Sequence, residues 1–367
     1  MDPATDYLAL SEPSKSSHLW RYTPWRRAHP TGVVSEIPQM ETVGISLSSL
    51  DGGPSPEGVI LERGVPLEID LPEEDVVAGS FLRAISSESK WTLRVEDGLK
   101  CDHPVVVNIT TEVPSTAIHL SIDVGNLAEL ELITRVRGPG EWCGLLRTGI
   151  IKEGAVVKDI VIGEMSDGNL LRMDSISVGR DAQLRAGTIS SGSKQTKADL
   201  RYLMGEPGGD LRVLGSILAV NEMHIDHHIE IHHEAPQTFS RLSWHSACGG
   251  ASRTIGTGML RVYEGSKGAD AAQIFHNLLL SPDAEADSIP ELEVLENEVV
   301  GCGHGTANGP IDEDQLFYLE ARGLDPSEAR SALIAAFLNS TLVEMGSEEL
   351  HDWLTNLLTS ELNVLEA

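Results

Sequence analysis

The sequence predicts a mainly β protein that ends in a small helical domain. Short β-type apolar runs separated by small-residue turns fill the middle of the chain, and helix-start signals crowd its last part. Glycines number 35 against five Phe and five Tyr, and aromatic residues make up 4% of the chain. That balance suits many short strands and tight corners better than helices packed around large rings.

The β region spans about residues 76–310. Its runs include Val105-Val106-Val107-Asn108-Ile109, Leu130-Glu131-Leu132-Ile133, Val156–Ile162 and Leu211-Arg212-Val213-Leu214. Turn-forming pieces recur before them: Gly125-Asn126, Gly154-Ala155, Arg180-Asp181-Ala182, Gly208-Gly209-Asp210, Gly249-Gly250-Ala251 and Gly268-Ala269-Asp270. From Gly125 to Gly209 these markers are about 26 to 29 residues apart, the length of a solenoid coil. A β-sandwich also gives short strands between turns. Apart from Asp51-Gly52, Asp97-Gly98 and Asp167-Gly168, hairpin dipeptides are scarce, which points toward a parallel β-helix.

Residues 311–367 read as a helical domain. Asp312 caps a helix through Gln315–Leu319 that Gly323 stops. Asp325-Pro326-Ser327-Glu328 is a capping-box arrangement with Pro at the first helical position. It opens a helix with Ala329, Leu333, Ala336 and Phe337 on one face. Ser347-Glu348-Glu349-Leu350 starts a third, with Leu350, Leu354, Leu357 and Leu358 as its stripe. Residues 1–75 are expected to be irregular to helical, rich in Pro, Ser and Gly, with a cationic aromatic cluster at Trp20-Arg21-Tyr22 and Trp25-Arg26-Arg27.

The net charge is −29, from 56 acidic and 27 basic residues. Such a surface repels phosphate backbones, so nucleic acid is excluded as a partner. With only eight Lys, the composition is halophile-like. Cys101, Cys143, Cys248 and Cys302 lie far apart with no CxxC pair, unlike a zinc ribbon or a disulfide framework. The first residues carry no secretory pattern and no apolar run spans a bilayer, so a cytoplasmic, reduced location away from membranes is expected.

Two places carry side chains suited to metal chemistry. In the run His224–His233, strand alternation puts His224, Asp226, His228, Glu230 and His232 on one face. Imidazole and carboxylate suit iron, zinc or manganese, and the plainer alternative is the solvated outer face of a strand or a subunit interface. In Gly301-Cys302-Gly303-His304-Gly305, Cys302 and His304 share a side, within reach of one metal, while the glycines leave room for a cluster or another backbone. The plainer alternative is a packed thiol beside a turn histidine. Cys248 reads as a buried small hydrophobe. Neither a Walker loop nor a dinucleotide-binding loop is present, so any ATP hydrolysis belongs to another chain.

The stretch from Ala269 to Gly323 resembles the SufB/SufD family of iron–sulfur cluster assembly proteins. The pieces that carry the resemblance are Asp270-Ala271-Ala272-Gln273, His276–Ser281, Pro290–Val294, Cys302-Gly303-His304-Gly305-Thr306 and Gly309–Gly323. Weaker similarity extends through His232–Pro236, Thr238-Phe239-Ser240 and Trp20-Arg21-Tyr22-Thr23. The Cys-Gly-His-Gly-Thr form looks more like SufD than SufB.

The resemblance implies a right-handed parallel β-helix between helical ends, acting as a scaffold and not as an enzyme. It implies a SufC-type ATPase on the C-terminal helices, and a SufB-type subunit, or a second copy, paired through the β-helix. Iron or a nascent iron–sulfur cluster would be held transiently at that interface by His304 and Cys302. Two other readings compete: a β-helix enzyme acting on glycans, and a metal-binding protein or metalloenzyme that uses the 224–233 ladder.

Overall fold

The computed structural model describes residues 3–64, 71–73, 75–190 and 192–366. The chain begins with α1 (Pro3–Leu8) and α2 (Trp25–Ala28), then forms β1 (Gly44–Ser49) and β2 (Val59–Arg63), α3 (Val76–Ile85), β3 (Lys90–Val95) and β4 (Val105–Thr110). Strands of eight to ten residues follow: β5 (Ser115–Val124), β6 (Glu129–Gly138), β7 (Trp142–Ile151), β8 (Val156–Met165), β9 (Asn169–Val178), β10 (Gln183–Ser190) and β11 (Gln195–Met204). The series closes with β12 (Asp210–Ala219), β13 (His224–His233), β14 (Phe239–Cys248), β15 (Arg253–Val262), β16 (Asp270–Leu279), β17 (Glu285–Val294) and β18 (Gly301–Pro310). Helices α4 (Glu313–Ala321), α5 (Pro326–Leu342) and α6 (Glu348–Glu366) end it.

From β3 onward the chain switches sheet at every strand. β1-β4-β6-β8-β10-β12-β14-β16-β18 form one nine-stranded sheet, and β2-β3-β5-β7-β9-β11-β13-β15-β17 the other. Neighbours are parallel, except that β1 pairs antiparallel with β4 and β2 with β3 at the N-terminal end. Parallel neighbours within each sheet rule out the antiparallel sandwich and make this a parallel β-solenoid. Strands β1 and β2 thus arise within the stretch expected to be irregular, where they cap the first coil. The stretch expected to be β opens instead with a helix, α3.

The repeat comes from one corner. Gly98, Leu127, Gly154, Asp181, Gly208, Gln237 and Gly268 all have positive φ, and each backbone N–H reaches the next coil. Leu127 N donates to Glu153 O, Gly154 N to Arg180 O and Asp181 N to Pro207 O. The left-handed conformation that lets the N–H point along the solenoid axis costs a non-glycine residue roughly 1 kcal/mol. Glycine therefore fills most of the column, which is why the turn markers were visible as a 26–29-residue repeat. Gly208 is constrained twice: φ is +80°, and a Cβ there would lie 1.9 Å from Asp181 Oδ1.

Inside the solenoid, alternate residues such as Ile118, Leu145, Val157, Leu200, Leu211 and Ile229 form one continuous core. The outer faces are covered too. Trp20, Trp25, α3 residues Phe81 and Leu82, and Trp142 pack over the β7 side. Ile334, Leu338 and Leu342 of α5 and Leu350, Leu354 and Leu358 of α6 pack on Ile160, Ile162, Leu214 and Leu218. Strands buried on both faces lose the simple alternation of a half-exposed sheet, which left the sequence pattern open between sandwich and solenoid.

The C-terminal helices start as expected. Asp312 accepts from Asp314 N and Gln315 N, and Asp325 and Glu328 form the capping box. The buried face of α5 differs from expectation: Ala329 is buried, but Ile334, Leu338, Thr341 and Leu342 dock, while Ala336 is exposed.

Candidate functional site

The two ends of the solenoid are unlike. At the first coil the antiparallel strands β1 and β2 lay Ile45, Leu47 and Leu61 against the core. At the last coil, among the described residues, β17 and β18 have no further strand beside them. Leu292, Val299 and Cys302 touch the core there without being fully covered, and Val300 is 74% exposed. A solenoid that ends on an open apolar layer needs a cap or a partner.

Backbone polarity on β18 follows from one bond. Val300 N donates to Ala269 O, so in the parallel ladder the even-numbered N–H groups face β16 and the odd-numbered ones face outward. The outward backbone groups belong to Gly301, Gly303, Gly305, Ala307 and Gly309. The strand has no charged residue, and its only proline, Pro310, ends it. Charge, proline and bulges are the usual protections of an edge, and this edge lacks them. On β17, Glu285 N and Leu295 N turn inward to Ser252 O and Val262 O. Pro290 therefore faces the free edge and interrupts it.

Cys302 and His304 lie on β18 in register with Ala271 and Gln273 of β16. Ala271 belongs to the interior core and Gln273 is fully buried. The thiol and the imidazole thus share one face, at the mouth of the solenoid. Cys302 is half-buried and His304 exposed. Burial raises the Cys302 pKa, the Ala271 backbone opposes it, and Asp270 adds to the rise. Beneath them Gln273 Nε2 donates to Glu291 O at 2.7 Å, and Asn277 Nδ2 donates to Asn308 Oδ1 and Ser288 Oγ at 2.7 Å each. A thiol and an imidazole side by side are soft and borderline donors that match iron, yet they supply two ligands where clusters use four.

The 224–233 ladder lies elsewhere. His224, Asp226, His228, Glu230 and His232 do share the outer face of β13, while His227 and His233 point inward; His227 lies 5.0 Å from the Trp244 ring. The face is not solvated, because the N-terminal segment covers it. Thr23 Oγ1 lies 2.9 Å from His224 Nε2 and donates to Asp226 Oδ2 at 2.6 Å. Lys197 Nζ meets Asp226 at 3.0 Å. His228 Nδ1 lies 2.8 Å from Asp199, Arg201 bridges Asp199 and Glu230, and His232 Nε2 lies 3.0 Å from Glu230.

Burial pushes the His224 pKa down to about 4, helped by Arg27. Burial alone would raise Asp199, but Arg201, His228 and Lys197 hold it at about 2. Two cations and a hydroxyl thus occupy the lone pairs a metal would need. Among the described residues no group of three or more His, Cys, Asp or Glu side chains could hold a metal ion. Cys248 is buried, with Sγ 3.0 Å from Thr254 Oγ1, and burial lifts its pKa to about 11.

One cluster went unmarked in the sequence. Arg147, 1% exposed, lies inside the solenoid between Asp159 and Asp174, 2.6 Å from each, and Arg172 also binds Asp174 at 2.6 Å. Alternation along β7 placed Arg147 with Leu145 and Cys143, and that parity was the available signal.

A parallel solenoid with helices on both outer faces and a glycine-edged last strand carrying a thiol and an imidazole defines a parallel β-helix protein. Residues 107–337 match the core domain of SufBD proteins in the SUF system of FeS cluster assembly. The chain belongs to the SufBD family. An iron–sulfur cluster assembly SufBD family protein of Mycobacterium tuberculosis is 26% identical over 99% of this chain and 92% of its own length. A counterpart in Mycobacterium leprae is 26% identical over 99% and 93%. The chloroplastic protein ABCI7 of Arabidopsis thaliana is 23% identical over 84% and 70%. No helix among the described residues is long and apolar enough to cross a membrane.

Proposed function

We propose that this chain is a SufD-like, non-enzymatic scaffold of iron–sulfur cluster assembly that works in the cytoplasm. Its open end pairs with a SufB-type solenoid or a second copy of itself. The observation that carries this reading is the uncapped last coil, where a free glycine edge and the Cys302/His304 pair coincide. Adding strands across that edge would bond the outward backbone of β18 and cover the apolar mouth. It would also bring a second set of ligands to the two present here. Iron or a nascent cluster is then cargo, held transiently by His304 and Cys302 with donors from the partner. Mycobacterium tuberculosis has a second SufBD relative, 30% identical over 43% of this chain, which suits pairing between paralogues.

The C-terminal helices supply the second contact. Phe317 is 71% exposed, Tyr318 lies beside it, and no residue of α4 is buried. Tyr318, Leu319 and Leu333 line an apolar groove of about 340 Å³ between α4 and α5. Aromatic side chains presented on a docked helix suit a protein partner, and a SufC-type ATPase is the partner proposed.

Co-expression with a SufB-type chain and a SufC-type ATPase, followed by anaerobic purification, tests the assignment. The expected result is a stable complex that carries iron and sulfide and loses both on His304→Ala without dissociating. Failure to recover any complex, or full retention of iron by His304→Ala, would overturn it.

A further inference from the structure

Two histidines meet where α5 lies on the solenoid. His245 of β14 and His276 of β16 are register partners on the outer face, and His276 Nδ1 is 3.2 Å from His245 Nε2. His245 Nδ1 lies 2.9 Å from Phe337 O and 3.0 Å from Ser340 Oγ. Its ring stacks on Phe337 at 4.7 Å and 16°.

The protons are fixed by these partners. A carbonyl oxygen only accepts, and the Ser340 hydroxyl already donates to Phe337 O at 2.7 Å. His245 Nδ1 therefore carries a hydrogen, and in the neutral ring Nε2 is left as an acceptor. His276 Nδ1 must then donate to it. A first proton can enter at His276 Nε2 without breaking this chain. A second, on His245 Nε2, sets two donors against each other. It also creates two cations with ring centres 5.0 Å apart, one of them on a ring only 9% exposed.

We infer that His245 and His276 form an acid-released latch that holds α5, and with it the C-terminal helices, on the solenoid. The inference does not rest on the assignment above, since it concerns this chain alone. Charged groups on the surrounding elements are engaged with one another. Arg212 of β12 pairs with Glu344, and Arg241 of β14 pairs with Asp270 of β16. On α5, Arg330 donates to Leu280 O and Glu328 caps Asp325 N. On α6, His351 is 3.9 Å from Asp352, and β18 sets Ala307 beside His276.

Burial lowers the His245 pKa, the Phe337 carbonyl opposes this, and His276 lowers it further. The docked ring thus excludes a proton that the undocked ring binds. Docking is at full strength above about pH 6.5 and weakens below it, about tenfold per pH unit for one excluded proton.

Hydrogen–deuterium exchange of the full chain, corrected for intrinsic exchange, reads this directly. Between pH 7.5 and 5.0, protection of the 331–342 amides should fall, by up to about thirtyfold for one fully excluded proton. His276→Gln can donate to or accept from His245 but carries no charge of its own, so it should lose less α5 protection than wild type at pH 5.0. The latch is overturned if wild-type α5 loses no protection over that interval. It is equally overturned if His276→Gln loses as much as wild type.

Discussion

Thr23 donates its hydroxyl to Asp226 at 2.6 Å, a contact between the N-terminal segment and a strand 203 residues later. Both residues are buried, and the same hydroxyl lies 2.9 Å from His224. Further bonds tie the segment down along the same sheet. Arg27 Nε donates to Gln195 of β11, and His18 meets Glu291 of β17 at 3.0 Å. The ladder that looks like a metal site in one dimension is, in three, the floor on which the N-terminal segment is bolted.

Replacing Thr23 with Val should therefore act on stability and not on metal. The change leaves a buried carboxylate and imidazole short of a partner, which costs about 1–3 kcal/mol. Urea unfolding should show that loss, while iron retained by a purified complex should not change. Loss of iron without loss of stability would return the ladder to the metal chemistry.

Acid should destabilise the fold before its carboxylates titrate. Burial holds His119 and His227 neutral down to about pH 3, and His224 and His233 down to about pH 4. The unfolded chain binds a proton at each of these near pH 6.5, so stability is full above that value and falls as the pH drops toward 4. A single ring shifted as far as His227 forfeits about 2 kcal/mol between pH 7 and pH 5. His227→Phe keeps an aromatic ring against Trp244, so its urea stability should fall by about 2 kcal/mol less than wild type over that interval. Parallel pH curves for the two proteins would refute this.

Inside the solenoid, Arg147 is the pivot between Asp159 and Asp174. Burial alone would lower its pKa; the two aspartates outweigh that and raise it. Arg147→Ala strands buried carboxylate charge, a change that costs about 3–5 kcal/mol. The expected outcome is a large drop in urea midpoint at pH 7 that narrows as the aspartates are protonated at lower pH. A loss below about 1 kcal/mol would show that water reaches the cluster and screens it.

What could be read from the sequence was whatever a few neighbouring residues decide. The corner column was visible because left-handed backbone selects glycine, and Leu127, Asp181 and Gln237 are the exceptions that blurred it. The Asp325–Glu328 capping box was visible because all its partners lie within one turn. Strand parity correctly placed the two faces of 224–233 and put Cys302 and His304 on one side.

What hid was anything set by distant chain. The cover over the ladder depends on Thr23, far away in sequence. The buried face of α5 depends on which side meets β12 and β14, so Ile334, Leu338 and Leu342 displaced the stripe through Ala336. Arg147 went unmarked because its two counter-ions lie on other strands.

The free edge of β18 can be tested by proline placed at alternating positions. Ala307 N–H points away from β16, so Ala307→Pro removes no hydrogen bond within the chain. Thr306 N–H points toward β16, so Thr306→Pro removes one. Proline also fixes φ near −65°, which strains either site similarly. Ala307→Pro should therefore melt close to wild type, while Thr306→Pro loses about 1 kcal/mol more, the net value of one hydrogen bond. Association runs in a different order. Ala307→Pro blocks strand addition at the glycine edge as charge or proline does on protected edges. Sedimentation at fixed concentration, alone and with a SufB-type chain, should show the complex lost in Ala307→Pro although the subunit remains folded. A complex that survives Ala307→Pro intact would mean that pairing does not use the backbone of β18.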